Sequence, residues 1–327
     1  MSNLLEVTGL TTQFEGKKGP LTVVDQVDFT VKKGEILGLV GESGCGKSVT
    51  SLSILQLLDK NGKISSGNVF YKNIDLVQKS EKEMKKIRGK EISMIFQDPM
   101  TSLNPVLTIG KQIGEVIEKH EKIKGKEVKK KVIELLKLVG IPRAEDIYDE
   151  YPHRLSGGMK QRVMIAMAIA CHPAMLIADE PTTALDVTIQ AQILDLLRSL
   201  KDDLDMSILL ITHDLGVVAE MCDRVVVMYA GQVVEATDTR TLLRNPRHPY
   251  TVGLIQSTPH QSKGEKRLKS IVGQVPAPDQ YSKGCRFANR CPKAMSICET
   301  AVPPLLEVDG QTSCRCWLYE EKEVGVL

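Results

Sequence analysis

The chain has 327 residues, 43 of them basic and 41 acidic, for a formal net charge of +2. Such a length holds one large domain with an appendage, and so even a charge balance gives no bulk electrostatic case for binding nucleic acid or an anionic membrane. The most apolar stretch, Val163 to Ala178, is interrupted by Pro173 and closed by Asp179-Glu180, too short to cross a bilayer, and Met1 to Glu6 lacks the basic-then-apolar pattern of a secretory leader, so a cytoplasmic polypeptide is expected.

In chain order, residues 4 to 40 alternate short β-type runs with turns: Leu4 to Val7, Val23 to Val31, then Glu35 to Val40 leading into a glycine loop. After it Leu52, Ile54, Leu55 and Leu58 predict an amphipathic helix ending near Asn61-Gly62. Residues 81 to 95 carry a charged helical segment and then the strand Glu91 to Phe96. Residues 105 to 155 read as mostly helical, with the charges of Glu115 to Lys137 on a solvated face. Strands return at Met175 to Ala178, Ser207 to Ile211 and Val225 to Tyr229, alternating with helices around Gln161 to Ala170 and Ile189 to Leu200. That alternation predicts an α/β fold with a mainly parallel, covered sheet. From about Asn245 prolines multiply, and a separate loop-rich region is expected.

The glycine loop is Gly41-Glu42-Ser43-Gly44-Cys45-Gly46-Lys47-Ser48, a phosphate-loop pattern between a strand and a helix. Its glycines let successive N–H groups point inward at phosphate, Lys47 can reach the β- and γ-phosphates, and the Ser48 hydroxyl can bind Mg²⁺. Asp179 ends an apolar strand and would deliver a carboxylate to Mg²⁺, and Glu180 beside it is placed to be the general base. Downstream of the loop comes Leu155-Ser156-Gly157-Gly158-Met159-Lys160-Gln161-Arg162, a second glycine-led helix start suited to an anion. Ile211-Thr212-His213-Asp214 closes another apolar strand.

Together these motifs resemble the ATP-binding cassette (ABC) ATPases. The resemblance implies a RecA-like phosphate-loop core with a mainly parallel sheet, an N-terminal antiparallel β portion and a helical signature subdomain at about residues 98–160. It implies ATP and Mg²⁺ as cofactors and Gly41, Glu42, Ser43, Gly44, Cys45, Gly46, Lys47, Ser48 and Val49 as nucleotide-binding residues. By the same resemblance Lys47, Gln97, Glu180 and His213 are catalytic, with His213 on the γ-phosphate, Gln97 as the glutamine that senses Mg²⁺ and water, and Ser48, Gln97 and Asp179 around Mg²⁺. Phe14 lies where the family stacks an aromatic on adenine, although an early-strand residue is as readily core. Ser156, Gly157, Gly158 and Gln161 are expected to contact a partner's ATP in a head-to-tail sandwich, with Asp186 in the D-loop crossing the same interface.

Two further runs resemble the dipeptide, oligopeptide and nickel importers within that family: Gln97-Asp98-Pro99-Met100-Thr101-Ser102-Leu103-Asn104-Pro105, and the tail from Asn245-Pro246-Arg247-His248-Pro249-Tyr250-Thr251 through Gly284-Cys285-Arg286-Phe287-Ala288-Asn289-Arg290-Cys291-Pro292 to Pro303-Pro304-Leu305. They imply a nucleotide-binding domain over 1–250 and a C-terminal region over 251–327. The implied partners are a second ATPase, a related non-identical chain or else a second copy, two permease subunits and, indirectly, an extracytoplasmic binding protein, with the chain peripheral on the cytoplasmic face and no nucleic acid. The solute is a peptide, with nickel or another small solute as the alternative; a soluble ABC protein acting on nucleic acid would need inserted coiled coils or a second cassette.

Of eight cysteines, Cys45, Cys171 and Cys222 read as packing residues, while Cys285, Cys291, Cys298, Cys314 and Cys316 crowd the tail. The spacing C-x5-C-x6-C-x15-C lacks the paired knuckles of structural zinc. A [4Fe–4S] cluster is the first expectation, with zinc or reduced thiols as alternatives. From the family pattern its ligands are Cys285, Cys291, Cys298 and Cys314, with Cys316 able to replace the last.

Overall fold

A computed structural model describes residues 2–17, 19–98, 102–183, 185–257 and 271–322. Pro99, Met100 and Thr101 of the expected permease-facing run, and Ala184 of the expected D-loop, lie outside the described residues. The chain forms two compact units, Met1–Gln78 with Ile211–Leu327, and Lys79–Leu210.

The first unit opens with a long antiparallel hairpin, β1 (Asn3–Gly16) and β2 (Gly19–Lys32), where the sequence indicated only short runs. Register shifts along it, as between Val7 and Leu10, move the apolar residues out of a single period-two phase. β3 (Ile36–Val40) is buried at every residue and leads through the glycine loop to α1 (Lys47–Ile54). That helix stops before the expected Asn61-Gly62 because Gln56 adopts φ 49, a left-handed conformation. Gly62 instead begins β4 (Gly62–Tyr71), which with β5 (Ile74–Asp75) completes a four-stranded sheet in the order β2-β1-β4-β5.

In the second unit β6 (Ile92–Ile95) runs parallel to β7 (Met175–Asp179), followed in strand order by β8 (Ser207–Thr212), whose end returns to the first unit. β7 and β8 are buried throughout, as expected of strands covered on both faces. Around them lie α2 (Glu81–Ile87), α3 (Ile109–Glu121), α4 (Lys126–Leu138), α5 (Ala144–Tyr148), α6 (Gly157–Ile169) and α7 (Val187–Asp203). α3 buries Ile109, Ile113 and Ile117, and α4 buries Val128, Val132 and Leu135, a helical stripe that leaves their charges to solvent.

Back in the first unit, α8 (Leu215–Met221) precedes β9 (Arg224–Tyr229), which lies parallel to β3. β10 (Gln232–Asp238) is antiparallel to β9. After α9 (Thr239–Arg244), α10 (Pro249–Gln256) and α11 (Ser296–Thr300), the short strands β11 (Leu306–Glu307) and β12 (Ser313–Cys314) add to β10, giving the order β11-β12-β10-β9-β3. The loop-rich tail is thus built onto a sheet edge. It is packed there by Tyr229, Tyr250 and Phe287, whose rings meet at 4.7 to 5.4 Å. Among the described residues no helix is long and apolar enough to cross a membrane.

Candidate nucleotide site

In the first unit the loop from Gly41 to Gly46 turns tightly against β9. A Cβ on Gly41 would stand 2.2 Å from the Met228 carbonyl oxygen, so only glycine lets the loop approach this closely. Gly46 caps α1 at φ 102 with no side-chain hydrogen bond, so the helix start offers its first N–H groups and positive dipole end to an anion. Lys47, 5% exposed, donates from Nζ to the carbonyls of Gly41 (2.7 Å) and Glu42 (3.1 Å). These contacts hold the ammonium over the loop, where a phosphate would sit. Burial raises the Cys45 thiol above its ordinary range, so this residue packs as a neutral group.

Phe14 sits on β1 opposite Leu21 and Gly62, its ring so close to Gly62 that a Cβ there would fall 2.7 Å from Cε1. His213 is exposed just after β8, and Asp214 beside it caps α8 by accepting from the Gly216 N–H at 2.7 Å.

The second unit brings Gln97 and Glu180 together. Ile95 pairs with Ala178 across the parallel strands, so the residues two beyond each emerge side by side. Gln97 Nε2 donates to Glu180 Oε2 at 3.0 Å, and Thr183 Oγ1 donates to the same oxygen at 2.8 Å. Thr183 was not anticipated; its place three residues after the acid, in the turn, was the available signal. Asp179 ends β7 only 3% exposed, while Glu180 turns away at φ 46, so the two neighbouring carboxylates face different surroundings.

Ser156 caps α6 by accepting from the Met159 N–H at 3.3 Å, with Gly157 exposed beside it. A Cβ on Gly158 would meet Ile189 Cγ2 at 2.8 Å, so this glycine is a packing requirement between α6 and α7. Gln161 is buried, and its Nε2 has no hydrogen-bond partner among the described residues. Asp186 caps α7 through the Ile189 N–H at 3.0 Å.

The tail cysteines give the expected cluster no direct support. All five are free thiols, and among the described residues no group of three or more histidine, cysteine or acidic side chains is arranged to hold a metal ion. Cys314, assigned as the fourth ligand from the family pattern, is fixed on β12 opposite Glu235 and Leu306. Burial, the Glu235 carboxylate and Cys316 push its thiol far up. Burial lifts the Cys316 thiol to about 11, and Cys285, Cys291 and Cys298 add to the rise.

The model for ABC transporters matches residues 24–183, and the model for the oligopeptide/dipeptide transporter C-terminal region matches residues 234–298. The oligopeptide transport ATP-binding protein AppD of Bacillus subtilis (strain 168) is 57% identical over 323 residues, 98% of each chain. This chain belongs to the ATP-binding subunits of ABC peptide importers. The dipeptide transport ATP-binding protein DppD of Haemophilus influenzae is 50% identical over 96% of this chain and 94% of its own. Among solved structures, the ATP-binding cassette MJ0796, a dimer bound to ADP and phosphate, is 29% identical at a TM-score of 0.65, covering 72% of this chain and 99% of its own. The cbiO1 cassette from Clostridium perfringens aligns at a TM-score of 0.63 and 29% identity, over 76% of this chain and 97% of its own. The fold is therefore the ABC ATPase cassette, and membership in the family carries ATP hydrolysis coupled to transport.

Proposed function

We propose that this ATPase powers uptake of dipeptides or oligopeptides through a pair of membrane permease subunits. The observation that carries the reading is the joining, in one chain, of an ABC cassette to an oligopeptide/dipeptide C-terminal region, with 57% identity to a peptide ATPase along 98% of both. On this reading residues 1–250 bind nucleotide, 251–327 form the importer-type C-terminal region, and the chain works on the cytoplasmic face beside a related, non-identical ATPase. A binding protein outside the membrane delivers the peptide to the permease.

Lys47 and the start of α1 take the phosphates, with Gly41 to Val49 as the cradle. Glu180 accepts a proton from the attacking water, while Gln97 and His213 orient that water against the γ-phosphate. The Gln97 contact to Glu180 supports this assignment, since it links the water-positioning amide to the base. Ser48, Asp179 and the Gln97 amide oxygen are hard oxygen donors of the kind Mg²⁺ takes. A Mg²⁺ ion held by them would supply Lewis-acid stabilisation of the charge that develops on the phosphate. Ser156, Gly157, Gly158 and Gln161 serve the partner's nucleotide, with Asp186 at the same interface, and Phe14 underlies the adenine.

For the tail, the reading is a [4Fe–4S] cluster that staples a region poor in core. Support comes from backbone N–H groups that bond sulfur and so favour a thiolate: Phe287 and Ala288 at Cys285, Lys293 at Cys291, Met295 at Cys298 and Leu318 at Cys316. That pattern favours Cys316 over Cys314 as fourth ligand. Anaerobically purified C316S then loses its iron and sulfide while C314S keeps them; wild type without either rules the cluster out.

The function is tested by reconstituting the chain with its permease pair, partner ATPase and binding protein in vesicles. ATP-dependent accumulation of labelled di- or tetrapeptide is expected. Transport of nickel but no peptide would replace the reading.

A further inference from the structure

Glu42, the second residue of the phosphate loop, is held at three points. Its N–H donates to the Tyr250 hydroxyl at 2.8 Å, and its carbonyl accepts from Lys47 Nζ at 3.1 Å. Its carboxylate is forked by Arg290, with Nη1 on Oε2 at 2.8 Å and Nη2 on Oε1 at 3.0 Å. Both outer partners lie far along the chain from the loop: Tyr250 near the start of α10, and Arg290 in the C-terminal region.

Arg290 is built into its place. The side chain is 6% exposed, and Nε donates to the Val272 carbonyl at 2.9 Å. Nη2 donates to the Gly273 carbonyl at 3.2 Å, and Nη1 reaches the Tyr229 hydroxyl at 3.3 Å. It ends the turn Ala288–Arg290, immediately before Cys291. A guanidinium fixed this firmly can offer one geometry to a carboxylate, which a lysine ammonium on a flexible stem cannot.

The electrostatic consequence falls on the nucleotide. A carboxylate on a loop that must hold a triphosphate repels the ligand, the more so where low dielectric weakens screening. A bidentate arginine cancels that charge and fixes the residue whose carbonyl helps place Lys47. We infer that Arg290 is a positioning residue for MgATP: it neutralises and orients Glu42, and thereby makes the C-terminal cysteine region part of the phosphate-binding apparatus. Arg290 acts through Glu42 and does not itself touch the reacting atoms. The inference does not depend on the metal content of the tail.

The test uses the full chain, with MgATP and MgADP as probes, steady-state ATPase assays and nucleotide titrations. Arg290→Ala is expected to raise the KM for MgATP about tenfold while kcat stays within about twofold, and to weaken ATP more than ADP because ATP carries the extra charge. In the Glu42→Gln background the carboxylate that needed cancelling is gone, so Arg290→Ala should then change the KM by less than about threefold. Arg290→Lys should fall between wild type and Arg290→Ala. An unchanged KM in folded Arg290→Ala overturns the inference, as does a tenfold loss that persists undiminished in the Glu42→Gln background, which would mark a purely structural arginine. Should Arg290→Ala not fold, Arg290→Lys decides: it keeps a positive charge but loses the fork on Glu42, so its KM for MgATP should rise about threefold while kcat holds, and a wild-type KM overturns the inference.

Discussion

At the scale of single residues, one turn gives the two acids at the end of β7 different surroundings. Asp179 stays with its strand, buried at 3% exposure, while Glu180 leaves it at φ 46 and takes hydrogen bonds from Gln97 and Thr183. Those donors fix a carboxylate oxygen without neutralising it, which suits the general base proposed for it. Glu180→Gln keeps the shape but removes the basic oxygen, so phosphate release should fall by about 10² to 10⁴-fold while MgATP still binds. A mutant that hydrolyses ATP at the parental rate would remove Glu180 from the mechanism. A second residue-scale expectation concerns Gly41, where a Cβ would run into the Met228 backbone carbonyl at 2.2 Å. Because backbone cannot swing aside, Gly41→Ala should displace the loop and lower stability by about 1–3 kcal/mol. Thermal unfolding monitored with and without MgATP should show both the lower midpoint and the loss of nucleotide stabilisation.

At the scale of elements, α10 carries a pH dependence of its own. Its N-cap is His248, buried, with Nδ1 accepting the Tyr250 N–H at 3.1 Å; burial holds the imidazole down to about 3 against an ordinary 6.5. The folded state therefore keeps this histidine neutral where the unfolded chain takes up a proton. Its contribution to stability is fully present above about pH 6.5 and is lost as pH falls from there toward about 3, at up to about 1.4 kcal/mol per pH unit. His248→Asn retains an N-cap acceptor without the titration. Urea unfolding between pH 7.5 and 5 should consequently be steeper in pH for wild type than for the mutant, and equal slopes would contradict the assignment. This element also marks where sequence reading stops. The strand ends that deliver Lys47, Gln97, Asp179, Glu180 and His213 were legible because short buried strands print unbroken apolar runs before their polar termini. β4 was not, since Gly62, Ser65, Ser66 and Gly67 break its alternation, and β10 was not, because it directly follows β9 through Ala230-Gly231. The hydrogen bonds of Glu42 with Tyr250 and Arg290 join residues more than two hundred positions apart, and no local period records such a contact.

At the scale of the whole molecule, the number and identity of chains in the working unit decide how the motifs combine. The chain supplies one phosphate loop and one signature helix start, and membership in this family implies that ATPases act as pairs. If each ATP lies between the loop of one subunit and the signature of the other, Lys47→Ala disables the site at its own loop, and Ser156→Arg disables the site completed by its own signature. In a homodimer, mixing the two dead variants would regenerate one intact site, formed by the loop of the Ser156→Arg chain and the signature of the Lys47→Ala chain. With a non-identical partner, which we propose, no mixture of this chain's own variants restores that site. The expectation is therefore that mixed Lys47→Ala and Ser156→Arg chains remain inactive in permease vesicles, while wild type together with the related second ATPase hydrolyses ATP in response to peptide-loaded binding protein. Recovery of a substantial part of wild-type activity by the two variants alone would instead make the working unit a pair of identical chains.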